Sequence, residues 1–119
     1  MQEIREKYIE RIYELKQKNG YVRATDLAKL LKVKPPSVTE MLQKLSKEGY
    51  VLYEKYRMVD LTPKGMELAK KLEKRHRAIK KVFMYFGVNE ETADKDACMV
   101  EHILSEETIE KIQKFAEKI

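Results

Sequence analysis

From Ala24 to Tyr50 the chain reads ATDLAKLLKVKPPSVTEMLQKLSKEGY, and its apolar positions recur twice at helical spacing with a short break between. Leu27, Leu30 and Leu31 stand at i, i+3 and i+4, one face of a helix. Thr25 or Asp26 is expected to cap that helix, because a short side-chain oxygen accepts an orphan N–H there. Lys32-Val33-Lys34 is too short for an element of its own. Pro35-Pro36 disfavours helix before it and permits helix just after it. The second helix turns Val38, Met41, Leu42 and Leu45 inward, with Gly49 expected at its C-terminal cap. Ser37, Thr39, Glu40, Gln43 and Lys44 face elsewhere. Small hydroxyls reach phosphates, and Gln can bond an adenine edge bidentately in the major groove. With Pro36 at the start of the helix, these are the candidate DNA-facing residues. A solvated helical hairpin would carry the same pattern, so the flanking segments matter.

Upstream, residues 2–18 place Ile4, Tyr8, Ile9, Ile12, Tyr13 and Leu15 on or near one helical face, and Asn19-Gly20 ends the element. Downstream, YVLYEKYRMVDL (50–61) changes period. Its β-branched and aromatic residues predict two strands around a polar interruption. Lys55 and Arg57 lie at the tip of that hairpin, placed to reach backbone phosphate. A helix, a helix-turn-helix and a hairpin, in that order, predict a winged helix. Thr62-Pro63 then supplies a cap and an N1 proline for a helix from Pro63 to about Phe86. Leu68, Leu72, Ile79, Val82, Phe83 and Phe86 are its apolar stripe, and about 36 Å its length at 1.5 Å per residue. Asn89 is expected to cap a helix from Glu90 to Leu104. Ser105 should cap a last one, with Ile109, Ile112, Phe115 and Ile119 apolar. The expected fold is mainly α: a winged helix-turn-helix domain with a two-stranded β-wing over residues 1–62, then a helical domain over 63–119.

Charge sharpens this division. Residues 1–60, 61–81 and 82–119 carry net charges of +4, +6 and −5. A basic front with an acidic rear suits a polyanion partner on one side and a different task on the other. No run of about 18 apolar residues occurs, so no membrane span is expected. MQEIREKYIERIYEL lacks the apolar core of a signal peptide. A single cysteine permits no internal disulfide, which fits a cytoplasmic protein.

The chain's two histidines and its cysteine are His76, Cys98 and His102. Cys98, Glu101 and His102 stand at i, i+3 and i+4, three donors on one helical face, as a divalent metal needs. The same residues have a plainer reading. Glu101 and His102 suit a helix end, and Cys98 is an ordinary small core residue.

At these residues the chain resembles the metal-dependent repressors of the diphtheria toxin repressor family, above all the short manganese transport regulators. The resemblance spans the chain: YIERIYEL, VKPPSVTEMLQKLSKEGYV, LTPKG, RHR and DACMVEHILSEE. It implies a cytoplasmic homodimer that binds a palindromic double-stranded operator when loaded with Fe²⁺ or Mn²⁺, and that represses metal uptake. Many members carry a further C-terminal SH3-like domain; the length here places the expectation with the shorter regulators. Carried over by position, Glu10, His76, Cys98, Glu101 and His102 become the metal ligands. A soft thiolate at Cys98 also admits Co²⁺, Ni²⁺ or Zn²⁺.

Three positions depart from the family. Lys7 replaces a first-helix Met or Asp ligand, Lys80 a glutamate found in some members, and Asp94 a histidine that leaves a donor in place. Lys7 matters most, since an ammonium repels a divalent cation. Either it turns to solvent and the other five residues bind metal, or it pairs with Glu101 and Glu10 in the metal's place and makes a metal-independent DNA binder. A regulator sensing an organic ligand is a further alternative. No nucleophile motif, phosphate loop or HExxH occurs, so no enzyme is expected.

Overall fold

The computed structural model describes residues 2–54 and 58–119. Lys55 and Arg57, the expected wing-tip cations, lie outside the described residues. Six helices and three short strands follow in the order α1 (Gln2–Asn19), β1 (Val22–Arg23), α2 (Ala24–Leu31), α3 (Pro35–Lys47), β2 (Val51–Tyr53), β3 (Met58–Leu61), α4 (Pro63–Tyr85), α5 (Glu90–Val100) and α6 (Glu106–Lys118). They form two compact units, with the division after Ala69, inside α4.

In the first unit the apolar faces read from the sequence converge. Ile9, Ile12, Leu27, Val38 and Leu42 are wholly buried, and Leu45 nearly so. Met41 is only half-buried. The sheet has three strands, where two were expected: β3 lies between β1 and β2, antiparallel to both. Val22 pairs with Val59, and Val51 with Leu61. All four of these side chains are buried, whereas Leu52 and Met58 on alternate positions are exposed. A two-residue strand is too short to show alternation, so β1 left no trace in the pattern.

That strand also changes how α2 begins. The helix starts at Ala24, and Arg23 is its cap residue, extended at φ −111° and ψ 145°, with no side-chain cap bond. Sheet pairing already holds Arg23 in the non-helical conformation a cap needs, so Thr25 and Asp26 fall inside the first turn. Lys32 closes α2 in the left-handed region at φ 57°. Lys34 is extended ahead of Pro35, as a residue before proline should be. At the far end of α3, Gly49 takes φ +85° just past the cap residue Glu48.

Thr62 joins the end of α3 to the start of α4 there. Thr62 Oγ1 donates to the Gly49 carbonyl at 2.6 Å and accepts from the Gly65 amide at 3.0 Å. The Thr62 amide donates to the Tyr50 carbonyl at 3.1 Å. Gly65 passes so close to that carbonyl that a Cβ would lie 2.0 Å from its oxygen. The LTPKG string is thus a cap followed by an obligatory glycine.

The second unit is the remainder of α4 with α5 and α6. Leu72, Ile79, Ala93, Ala97 and Ile109 are its buried apolar residues, with Val82 and Ala116 close behind. Asn89 and Ser105 cap their helices as expected, accepting from the amides of Thr92 and Thr108 at 2.9 and 3.2 Å. Lys81 donates to the Ala116 carbonyl near the end of α6 at 2.8 Å. Two boundaries differ from expectation. Phe86 is 68% exposed, because α4 stops at Tyr85 and Gly87 turns the chain away at φ 101°. Helix α5 ends at Val100, and residues 101–104 form turns rather than a last helical turn.

Candidate metal centre and nucleic-acid interface

In the first unit, α3 is held by Val38, Leu42 and Leu45 with its opposite face open. Pro36, Ser37, Glu40, Gln43 and Lys44 are exposed, and Thr39 is half-exposed. Lys44 and Glu40 form a long exposed ion pair at 3.9 Å. Beside α3, Lys29, Lys32 and Lys34 are exposed on α2 and the turn. Sequence reasoning passed over these lysines, although their spacing along KLLKVK was visible. This face offers hydroxyls, an amide and cations, the groups that bind phosphate and base edges.

In the second unit the chemistry lies deeper. Glu101 has no solvent exposure at all, and the His102 side chain is only 3% exposed. His102 Nε2 lies 3.2 Å from one Glu101 oxygen. His76, from α4, brings Nδ1 to 3.7 Å from the other. That contact is longer than a hydrogen bond, so its pull is chiefly electrostatic. His76 Nε2 meets Asp94 Oδ1 at 2.7 Å. Asp94 in turn takes the Lys80 ammonium at 3.5 Å, which also lies 3.4 Å from Glu90. Glu101, and then Asp94, raise the His76 pKa from 6.5 to about 9 against the opposing effect of burial. The metal-free protein therefore carries an imidazolium here at neutral pH. Asp94 is held below the usual carboxylate range, first by its bond to His76.

Of the residues expected at a metal centre, His76, Glu101 and His102 come together in this unit. Cys98 lies on α5 one turn before His102, half-buried. Glu10 lies on α1 in the first unit, half-buried. Asp94 was noted in the sequence as a donor but left out of the ligand set. Its place four residues before Cys98 on the same helix was the signal that could have admitted it.

A wholly buried carboxylate must be compensated by positive charge. Two imidazoles beside it, with a thiol and a second carboxylate on the same helix, are donors that suit a first-row divalent ion. The residues present fit a metal.

Two sequence profiles cover nearly the whole chain. The iron dependent repressor N-terminal DNA binding domain matches residues 1–59, and the iron dependent repressor metal binding and dimerisation domain matches 62–119. The chain belongs to the iron dependent repressor family. As a member, it is a metal-dependent, DNA-binding transcriptional regulator that dimerises. It is 47% identical over 116 residues to an uncharacterized HTH-type transcriptional regulator of Methanocaldococcus jannaschii, covering 95% of this chain and 92% of that one. It is 47% identical over 107 residues to the HTH-type transcriptional regulator MntR of Lysinibacillus sphaericus, covering 90% of this chain and 77% of the relative. Among solved structures, the manganese regulator SloR superposes with a TM-score of 0.79 at 31% identity, over 97% of this chain and 54% of SloR. The family member described here thus spans about half the length of that structural relative. Among its described residues no helix is long and apolar enough to cross a membrane.

Proposed function

We propose that this chain represses metal-uptake genes from the cytoplasm, binding a palindromic operator as a homodimer when loaded with Fe²⁺ or Mn²⁺. Residues 1–62 are the proposed DNA-binding domain and residues 63–119 the metal-binding and dimerisation domain. The observation that carries the reading is the buried Glu101 carboxylate with an imidazole on either side, within the family's metal-binding half. His76, Cys98, Glu101 and His102 would hold the ion, and Glu10 joins them through the family resemblance. The bound ion would neutralise Glu101 and take the place of the His76 proton. Its role is that of a ligand favouring one conformation of the protein, with no catalytic part. On α3, Gln43 reads a base edge while Ser37, Thr39 and Lys44 hold phosphate, with Lys55 and Arg57 as further phosphate-binding candidates from the sequence.

The metal-independent alternative has no support from Lys7. Among the described residues its ammonium pairs with no carboxylate, and it lines a cleft against α3.

Selection from a random duplex pool, with Mn²⁺ or Fe²⁺ and then with EDTA, tests the proposal. Enrichment of one palindromic site only with metal is the expected result. Equal enrichment in EDTA would remove the metal from the mechanism, and no enrichment would remove the operator.

A further inference from the structure

Helix α3 begins in an unusual way for a helix that faces phosphate. A helix N-terminus ordinarily offers free backbone N–H groups to an anion. Here Pro35 and Pro36 have none. The next two amides, of Ser37 and Val38, both bond the Lys34 carbonyl, at 2.9 and 3.3 Å. Phosphate binding at this end must therefore come from side chains. Lys44, one candidate, shares its charge with Glu40.

A cleft of about 430 Å³ opens beside this turn, with Ser37, Glu40, Met41 and Lys44 of α3 on one side and Lys7 of α1 on the other. Lys7 is exposed, and among the described residues no carboxylate pairs with it. Arg5, two residues away, is already engaged with Glu48 at 3.1 Å. Lys7 is therefore an uncommitted cation bordering the open face of α3, on the α1 side of the cleft.

We infer that Lys7 is a DNA-contacting residue, binding a backbone phosphate that enters this cleft together with Ser37. Helix α1 then adds to the nucleic-acid interface from its first turns. The inference rests on the regulator reading above, but a phosphate contact is independent of base sequence and can be measured without the operator. The substitution that would hinder metal binding serves instead as a substitute for the missing backbone donors of α3.

The test measures affinity for a random-sequence duplex at saturating Mn²⁺ over a range of salt concentrations, for wild type, Lys7→Gln and Lys7→Arg. Each phosphate neutralised contributes about 0.9 to the slope of log affinity against log salt. Because the homodimer carries two copies of Lys7, Lys7→Gln should lower the slope by about 1.8 and Lys7→Arg should keep it. A Lys7→Gln slope equal to wild type, even with a uniformly changed affinity, overturns the inference and leaves the regulator reading standing. Wild-type protein without salt-dependent duplex binding would overturn both. Circular dichroism of each variant guards against misfolding, and Lys7→Met gives a second neutral side chain whose slope must match that of Lys7→Gln.

Discussion

The two units differ in where they keep positive charge. In the first, cations stay at the surface: Lys29, Lys32, Lys34 and Lys44 surround α3 in water, and the charged side chain that is buried there is a carboxylate, Glu6. In the second, charge goes inside: Glu101 is wholly buried, and Arg75 is 6% exposed and paired with Glu106. Exposed charges interact weakly and are screened by salt, which suits a surface that must bind and leave a polyanion. Buried charges are costly unless matched, which suits a centre that must respond to the arrival of a cation. One unit thus needs surface charge to be available, the other needs interior charge to be conditional.

The largest effect should follow from removing the conditional charge. Glu101→Gln is expected to weaken Mn²⁺ binding by more than about a hundredfold in a calorimetric titration, since it neutralises the carboxylate that a ligand set is built around. Unchanged affinity would mean the buried charge has another purpose. Next in size is a purely steric break in the first unit. Gly65→Ala puts a methyl group 2.0 Å from the Tyr50 carbonyl oxygen. The cost should be about 2 kcal/mol or more in urea unfolding, from backbone that has to move. A loss below half of that would show the α4 start to be compliant.

A further effect is a pH dependence of the metal-free protein. His76 has its pKa raised on folding, from 6.5 to about 9. Its stabilising contribution is therefore complete below pH 6.5, declines above it, and is gone once pH exceeds about 9. Urea midpoints in EDTA should fall over that window, and His76→Gln should flatten the fall. The lowered pKa of Asp94 works the other way, with a contribution present above the ordinary carboxylate range and lost as the pH drops through the folded value. A wild-type midpoint that is level from pH 6.5 to 9 would show that Glu101 and Asp94 do not hold the proton.

Much of this arrangement was legible beforehand. Amphipathic spacing located the helices, and the caps at Thr62, Asn89 and Ser105 were readable because a short oxygen-bearing side chain before an apolar period has few other uses there. Helical spacing grouped Cys98, Glu101 and His102, the family resemblance made them candidate ligands, and the structure brings Glu101 and His102 beside His76. What escaped was set by tertiary contact. Strand β1 exists because β3 offers it an edge, and that same pairing moved the cap of α2 to Arg23. Helix α5 ends at Val100 although the sequence continues the apolar period to Leu104. Asp94 was visible as a donor, but its hold on His76 depends on how α4 and α5 pack. For Lys7 the sequence left two readings open, and its exposed position agrees with the one in which the side chain turns to solvent.

Thr62 has a consequence for how motion could travel. Its hydroxyl bonds both the chain leaving α3 and the first turn of α4, so the two helices share a joint with almost no slack. A rotation imposed on α4 would be passed to the end of α3 as torque, with little lost in side-chain rearrangement.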